Sequence, residues 1–234
     1  MLPGVGMAPR EAARAKKPKA PAPKVKWSPV DVYKVEQRGL ERLRNALGDA
    51  RGDLLNELKS VSRRQDDREQ DAKQDGRTIQ PEELAEVWED YITWLPDIPL
   101  ENIRKGLDSL GDALEETARV LKDDTLEKAV RAFYKKIPED AELHAKARNS
   151  DAMDKVLSHL EKAQKTVPDK LSGPGTYARL RDSFDEIAEA VKILTGRAVQ
   201  VPDIKGAVDR VDPRQLSMFT ASRVVQRYLA ARSR

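Results

Sequence analysis

Residue types that carry out catalysis or bind metals are scarce in this chain of 234 residues. The two histidines, His144 and His159, lie far apart and outside any HExxH motif, in which two histidines one helical turn apart bind zinc. The absence of cysteine excludes thiolate metal sites, disulfides and a Cys-His nucleophile, and no GxSxG motif is present. We therefore predict that the protein is not an enzyme and binds no metal ion or other cofactor.

Carboxylates are abundant, but their spacing is not that of a known site. The acids between residues 66 and 75 alternate with basic residues and lack the ligand register of a calcium loop, which indicates a solvated charged face. The turn Gly173-Pro174-Gly175-Thr176 precedes a predicted helix, yet it lacks the Lys-Ser/Thr pair of a phosphate-binding loop and favours a plain capping turn. An enzyme with a carboxylate site assembled from scattered acids is kept as an alternative.

Positive charge is concentrated at the N-terminus. Residues 1–26 contain five prolines, seven basic residues and one acid, for a net charge of +6. So little apolar surface predicts a disordered or extended basic arm over residues 1–27. Mobile cations can follow a polyanion without fixed geometry, so we expect the arm to bind nucleic acid or an acidic protein surface. The basic residues are Arg10, Arg14, Lys16, Lys17, Lys19, Lys24 and Lys26.

A second basic patch is predicted at the C-terminus. Residues 214–234 hold five arginines and no acid, a net charge of +5. Because the whole chain carries +3, residues 27–213 carry −8. Such segregation of charge indicates electrostatic partners rather than a particular fold. The arginines expected to contribute to binding are Arg223, Arg227, Arg232 and Arg234.

The first predicted helix, residues 28–61, repeats apolar residues every seven positions. This helix-packing seam consists of Tyr33, Leu40, Leu47, Leu54 and Val61. The spacing predicts a long amphipathic helix that packs against another helix, within the chain or across a subunit boundary. Glycines inside it weaken the helix by about 1 kcal/mol each, so we expect a neighbouring helix to approach closely at Gly48 and Gly52. Residues 62–80 are almost wholly polar and predict a charged linker or an exposed extension of the helix.

The sequence pattern of residues 81–234 predicts a helical body that ends in a basic helix. Apolar periodicity, prolines and glycines delimit its segments. The expected helices are 81–91, 97–121, 125–137, 139–148, 151–166, 176–195 and 212–229, with a short strand or a packed loop between 197 and 211. The fold class is therefore all-α, a multi-helix bundle of amphipathic helices with a basic N-terminal arm.

These features favour a non-enzymatic structural or assembly protein, and a virion or nucleoprotein component would have this layout. We expect a homo-oligomer or larger assembly, and nothing indicates a small-molecule substrate. The alternative is a helical adaptor or scaffold that presents the seam of residues 29–61 to a partner, with a merely solubilising arm.

No apolar run approaches the roughly 18 residues of a membrane span, and no apolar secretory segment begins the chain, so we expect no membrane insertion. The expected location is the cytoplasm, or a particle assembled there.

Overall fold

The computed structural model describes residues 29–89, 94–172 and 175–204, of which 76% are helical. The predicted all-α bundle is confirmed, and the described residues form no strand. Their helices are α1 (Pro29–Gln74), α2 (Pro81–Glu89), α3 (Asp97–Leu121), α4 (Thr125–Tyr134), α5 (Ser150–Thr166) and α6 (Thr176–Thr195), with a 3₁₀ turn at Ala145–Ala147. The predicted arm, residues 1–27, and the predicted last helix, residues 212–229, lie outside the described residues.

Helix α1 is the central element, and α3 and α5 run antiparallel to it. Asn102, near the start of α3, donates to Asp53 at 3.1 Å, whereas Gly39 of α1 lies against Ala113, farther along α3. Arg51 pairs with Glu161 of α5 at 3.3 Å. These contacts place the start of α1 beside the end of α3.

The remaining helices close the bundle. Helix α4 runs antiparallel to α3, and α6 runs antiparallel to α5, where Ser183 donates to the Ala163 carbonyl at 2.9 Å. The rings of Phe133 in α4 and Phe184 in α6 stack with centroids 4.8 Å apart. Helices α1, α3, α4, α5 and α6 all contribute to one core of mainly aliphatic side chains.

The seam of α1 is covered by the chain's own helices. Leu40, Leu47 and Leu54 are completely buried, Val61 is buried, and Tyr33 is half-buried. The first three belong to the core shared with α3 and α5. The seam is therefore an internal packing surface, and the packing partner lies within the chain.

Close approach between α1 and α3 occurs at other glycines than expected. A Cβ added at Gly39 would lie 2.7 Å from the Ala113 Cβ, and one at Gly106 would lie 2.9 Å from the Ala46 Cβ. Gly48 faces the flexible side chain of Gln164, and nothing lies within 4 Å of a Cβ at Gly52. The expectation for Gly52 is wrong because this residue points away from the neighbouring helices.

Helix α1 continues through most of the charged segment. It ends in a Schellman motif, in which Arg77 N donates to the Ala72 carbonyl and Gly76 N to the Lys73 carbonyl. Gly76 has a φ of +67°, a conformation that strongly favours glycine. Residues 62–74 are thus a helical extension, followed by a turn and a short connection to α2.

The helix expected over residues 139–148 is wrong, apart from the single turn at Ala145–Ala147. The backbone amide of Ala141 donates to Asp97 Oδ1 at 3.0 Å, and that of His144 donates to the Leu194 carbonyl at 2.7 Å. These amides therefore tie the segment to α3 and α6 instead of forming helical bonds. Residues 197–204 form a packed loop in which Ile204 is buried, and residues 205–211 are not described.

Candidate interaction surfaces

The predicted binding residues of the two basic ends lie outside the described part of the chain. This holds for all seven basic residues of the arm and for all four C-terminal arginines. The structure does describe the surfaces to which both ends are attached. The arm joins α1 at Pro29, beside the end of α3, and the C-terminal residues follow Ile204.

Helices α3 and α4 and the turn between them form an acidic surface. Residues 108–131 carry seven acids and four basic residues, for a net charge of −3. Glu116 and Asp124 are exposed there. We call residues 108–131 the acidic α3–α4 surface.

One arginine organises this surface. Arg131 of α4 lies over Gly111 of α3, where a Cβ would be only 2.8 Å from the guanidinium. Partial burial opposes the charge of Arg131, but its hydrogen bonds with Asp112 and Asp108 outweigh this and raise its pKa. The cation holds α4 against α3 and neutralises only part of the carboxylate charge. The surrounding carboxylates belong to Asp108, Asp112, Glu115 and Glu127.

A second acidic feature is the α1–α2 hairpin, residues 62–89, which carries nine acids and five basic residues, a net charge of −4. Its α1 portion contacts α2, and Val61 and Val87 form a small apolar cluster at its base. Arg68 Nη1 donates to the Glu83 carbonyl at 2.8 Å and pairs with Glu86 at 3.1 Å. Polar contacts therefore hold most of this hairpin together.

The start of α2 is fixed by one ion pair. Arg77 Nη1 lies 2.7 Å from both carboxylate oxygens of Glu83, and the Gln80 amide donates to Glu83 Oε1 at 3.4 Å. The hydrogen bond from Arg77 lowers the pKa of Glu83, and the same bond raises the pKa of Arg77. The carboxylate thus remains ionised and joins the turn after α1 to the first turn of α2.

An apolar groove lies where the hairpin leaves the bundle, between α1, α2 and the start of α5. It encloses about 400 Å³. Its apolar lining consists of Leu55, Leu58, Val61, Trp88, Met153 and Leu157. Sequence patterns did not reveal this groove, because its lining comes from three helices that are far apart in the chain.

A polar cleft of about 800 Å³ lies near the end of α6, and it contains His144 with Arg148 and Arg197. Acids line the same cleft, and Asp97 is used by the Ala141 amide. The ring of His144 packs directly over Gly196, where it leaves no room for a Cβ. Acidic and basic side chains thus both line the cleft, and they do not point toward one common centre.

The other predicted reactive groups have structural contacts. His159 Nδ1 lies 2.6 Å from Glu186 Oε2, joining α5 to α6. Gly175 is the N-cap of α6, and the Thr176 hydroxyl donates to the Ser172 carbonyl at 3.3 Å. Within the described ranges, no group of three or more His, Asp or Glu residues is placed to hold a metal ion.

No family model, curated protein or solved structure matches the chain. None of the helices in the described ranges has the length and apolar character needed to cross a membrane.

Proposed function

We propose that this protein is a non-enzymatic assembly component whose helical bundle carries a basic arm that binds nucleic acid, as in a virion or nucleoprotein particle formed in the cytoplasm. The observation that carries the proposal is the segregation of charge. An arm of net charge +6 is attached to a body of net charge −8. Phosphate contacts supply most of non-specific nucleic-acid affinity, and mobile lysines provide them without a preformed site.

The bundle supports a structural role for the body. Its seam is buried, its core is continuous through five long helices, and its two acidic surfaces face away from that core. A polyanion is repelled by those surfaces, so the body keeps the nucleic acid at the arm. The adaptor alternative needs the α1 seam as a docking surface, whereas α3 and α5 cover its central residues Leu40, Leu47 and Leu54.

Deleting residues 1–26 tests the nucleic-acid proposal. We expect the truncation to lower the affinity for duplexes of unrelated sequence by the same factor, because phosphate contacts carry no base information. A chain whose first 26 residues are scrambled, with unchanged composition, is the matched control and should bind like the native protein. Gel-shift titrations of the three proteins check this. Equal affinities of the truncated and full-length chains would contradict the proposal.

A neighbouring subunit is the second candidate partner, favoured by the acidic α3–α4 surface, whose net charge of −3 is opposite in sign to that of the arm. In this arrangement the arm of one copy lies on the acidic surface of the next, and deletion of the arm impairs assembly. Glu116→Lys places a cation on that surface without removing a partner of Arg131. We expect both variants to lower the mass in light scattering, whereas Arg181→Glu, on α6, should not. An unchanged mass for both would exclude this partner.

A further inference from the structure

The apolar groove has the composition of a helix-docking surface. Val61 and Met153 form its buried floor, and Leu58, Trp88 and Leu157 are half-buried along it. Grooves of this kind receive the apolar face of an amphipathic helix through residues spaced three or four apart. The groove is independent of the arm, which begins at the other end of the bundle.

The C-terminal sequence contains a segment that fits this chemistry. Thirty residues, 205–234, follow the last described residue. Val224 and Tyr228, and Val225 and Leu229, are pairs spaced four apart, which is the pattern of a helical apolar stripe. Most of the stability of an amphipathic helix in a protein comes from the packing of its apolar face.

The last described residues also lie at the same end of the bundle as the groove. Lys136, just after α4, donates to the Gln200 carbonyl at 3.1 Å, and Arg104 near the start of α3 donates to the Ile137 carbonyl at 2.6 Å. The start of α3 lies beside Asp53, two residues before the groove begins at Leu55. Residues 205–211 span up to about 25 Å when extended. Packed helices lie about 10 Å apart, so this connection can cross two helix spacings.

Charge complementarity favours the same occupant. Residues 214–234 contain five arginines and no acid, and the hairpin beside the groove has a net charge of −4. Lys59 and Arg63 line the groove on α1, while Asp154 lines it on α5 and the exposed Glu89 follows Trp88 on α2. A segment docked in the groove would therefore have favourable partners for its arginines at the α2 and α5 walls.

We propose that residues 212–229 dock as a helix in the apolar groove, either of their own chain or of a neighbouring copy. The apolar stripe of the segment covers Leu58, Trp88 and Leu157, and its arginines face the acids of α2 and α5. The docked segment closes the base of the α1–α2 hairpin and fixes the hairpin to α5.

The cysteine-free chain allows a direct test in the full-length protein. Ser62→Cys places a thiol at the exposed rim of the groove, and Ser222→Cys places one in the C-terminal segment. The matched control combines Ser222→Cys with Glu116→Cys, which is exposed at the other end of the bundle. With a short bismaleimide, we expect the groove pair to crosslink at least about tenfold faster, because docking raises the effective concentration. A monomeric product indicates docking within the chain, and a dimeric product indicates docking in a neighbour.

Equal crosslinking rates for the two pairs would overturn the proposal. Val225→Asp with Leu229→Asp, added to the groove pair, should reduce the rate to that of the control, with unchanged circular dichroism of the bundle as the folding check. A fast reaction that survives these substitutions would also overturn it. Crosslinking of the single variant Ser62→Cys to itself would place the groove of a second copy there instead, and would likewise overturn it.

Discussion

At the scale of single residues, Leu47 tests whether the seam of α1 is an internal packing surface. It is completely buried at the centre of the seam, between α3 and α5. A carboxylate at this position loses water and gains no partner, which adds a desolvation cost to the lost apolar packing. We expect Leu47→Asp to reduce the free energy of unfolding by more than about 3 kcal/mol, measured by urea denaturation followed by circular dichroism.

The control for this substitution is Asn45→Asp, two residues away on the exposed face of α1. This substitution introduces the same aspartate side chain, but on a surface exposed to water. Repulsion between the new carboxylate and Glu41 or Asp49, each four residues away, reduces the free energy of unfolding by only about 0.5 kcal/mol for each pair. A loss below about 1 kcal/mol is therefore expected. Similar losses for the two variants would show that Leu47 is not buried as described.

The Arg77–Glu83 pair gives a prediction on pH. Because the bond from Arg77 lowers the pKa of Glu83 in the folded protein, the contact stabilises the fold above the ordinary glutamate pKa of about 4.3. This contribution is lost as the pH falls from that value through the lower folded pKa. We expect Arg77→Gln to raise the pKa of Glu83 toward its ordinary value, measured by carboxyl-carbon NMR. Arg63→Gln is the control and should leave that pKa unchanged.

At the scale of elements, replacement by alanine should have opposite effects at a glycine inside the α1–α3 contact and at a glycine outside it. A Cβ at Gly106 would lie 2.9 Å from the Ala46 Cβ, so Gly106→Ala forces the two helices apart and should cost about 1–3 kcal/mol. Gly52→Ala meets no atom within 4 Å and improves helix propensity, so it should stabilise by about 0.5–1 kcal/mol. Thermal unfolding of both variants checks the signs. A stabilising Gly106→Ala would contradict the described helix contact.

The sequence allows α3 and α6 to be predicted because local signals mark both their faces and their ends. Asp97 and Pro99 begin α3, and Gly196 ends α6 with a φ of +69°. The prediction of a helix over residues 139–148 is wrong because amides of this segment bond to Asp97 and Leu194, which are distant in sequence. Local propensity cannot report such bonds.

The candidate surfaces were less predictable than the helices. The net charges of the ends and the body follow from composition alone. The acidic α3–α4 surface depends on the packing of α4 against α3. The groove depends on Leu58, Trp88 and Leu157 meeting from three elements. Periodicity identifies the buried face of each helix, but it does not specify the neighbouring helix.

At the scale of the whole molecule, the antiparallel packing of α1 and α3 determines where the arm leaves the body. Gly39 lies against Ala113, so the start of α1 is at the same end of the bundle as the turn between α3 and α4, which contains Asp123 and Asp124. We therefore expect nucleic acid and the acidic α3–α4 surface to compete for the cations of the arm. Both interactions weaken as salt screens the charges, and only phosphate binding also releases condensed counterions.

The salt dependence of binding consequently has a fixed upper bound. The arm supplies seven cations, so the slope of log affinity against log salt should be no steeper than about −6 for duplex DNA bound by the arm alone. Replacing Lys16, Lys17 and Lys19 by alanine should make the slope shallower by about 3, because about 0.9 counterion is released for each phosphate neutralised. Filter-binding titrations between 50 and 200 mM salt measure both slopes. A slope that is unchanged by the three substitutions would place the phosphate contacts outside the arm, and the C-terminal arginines would then be the cations to replace next.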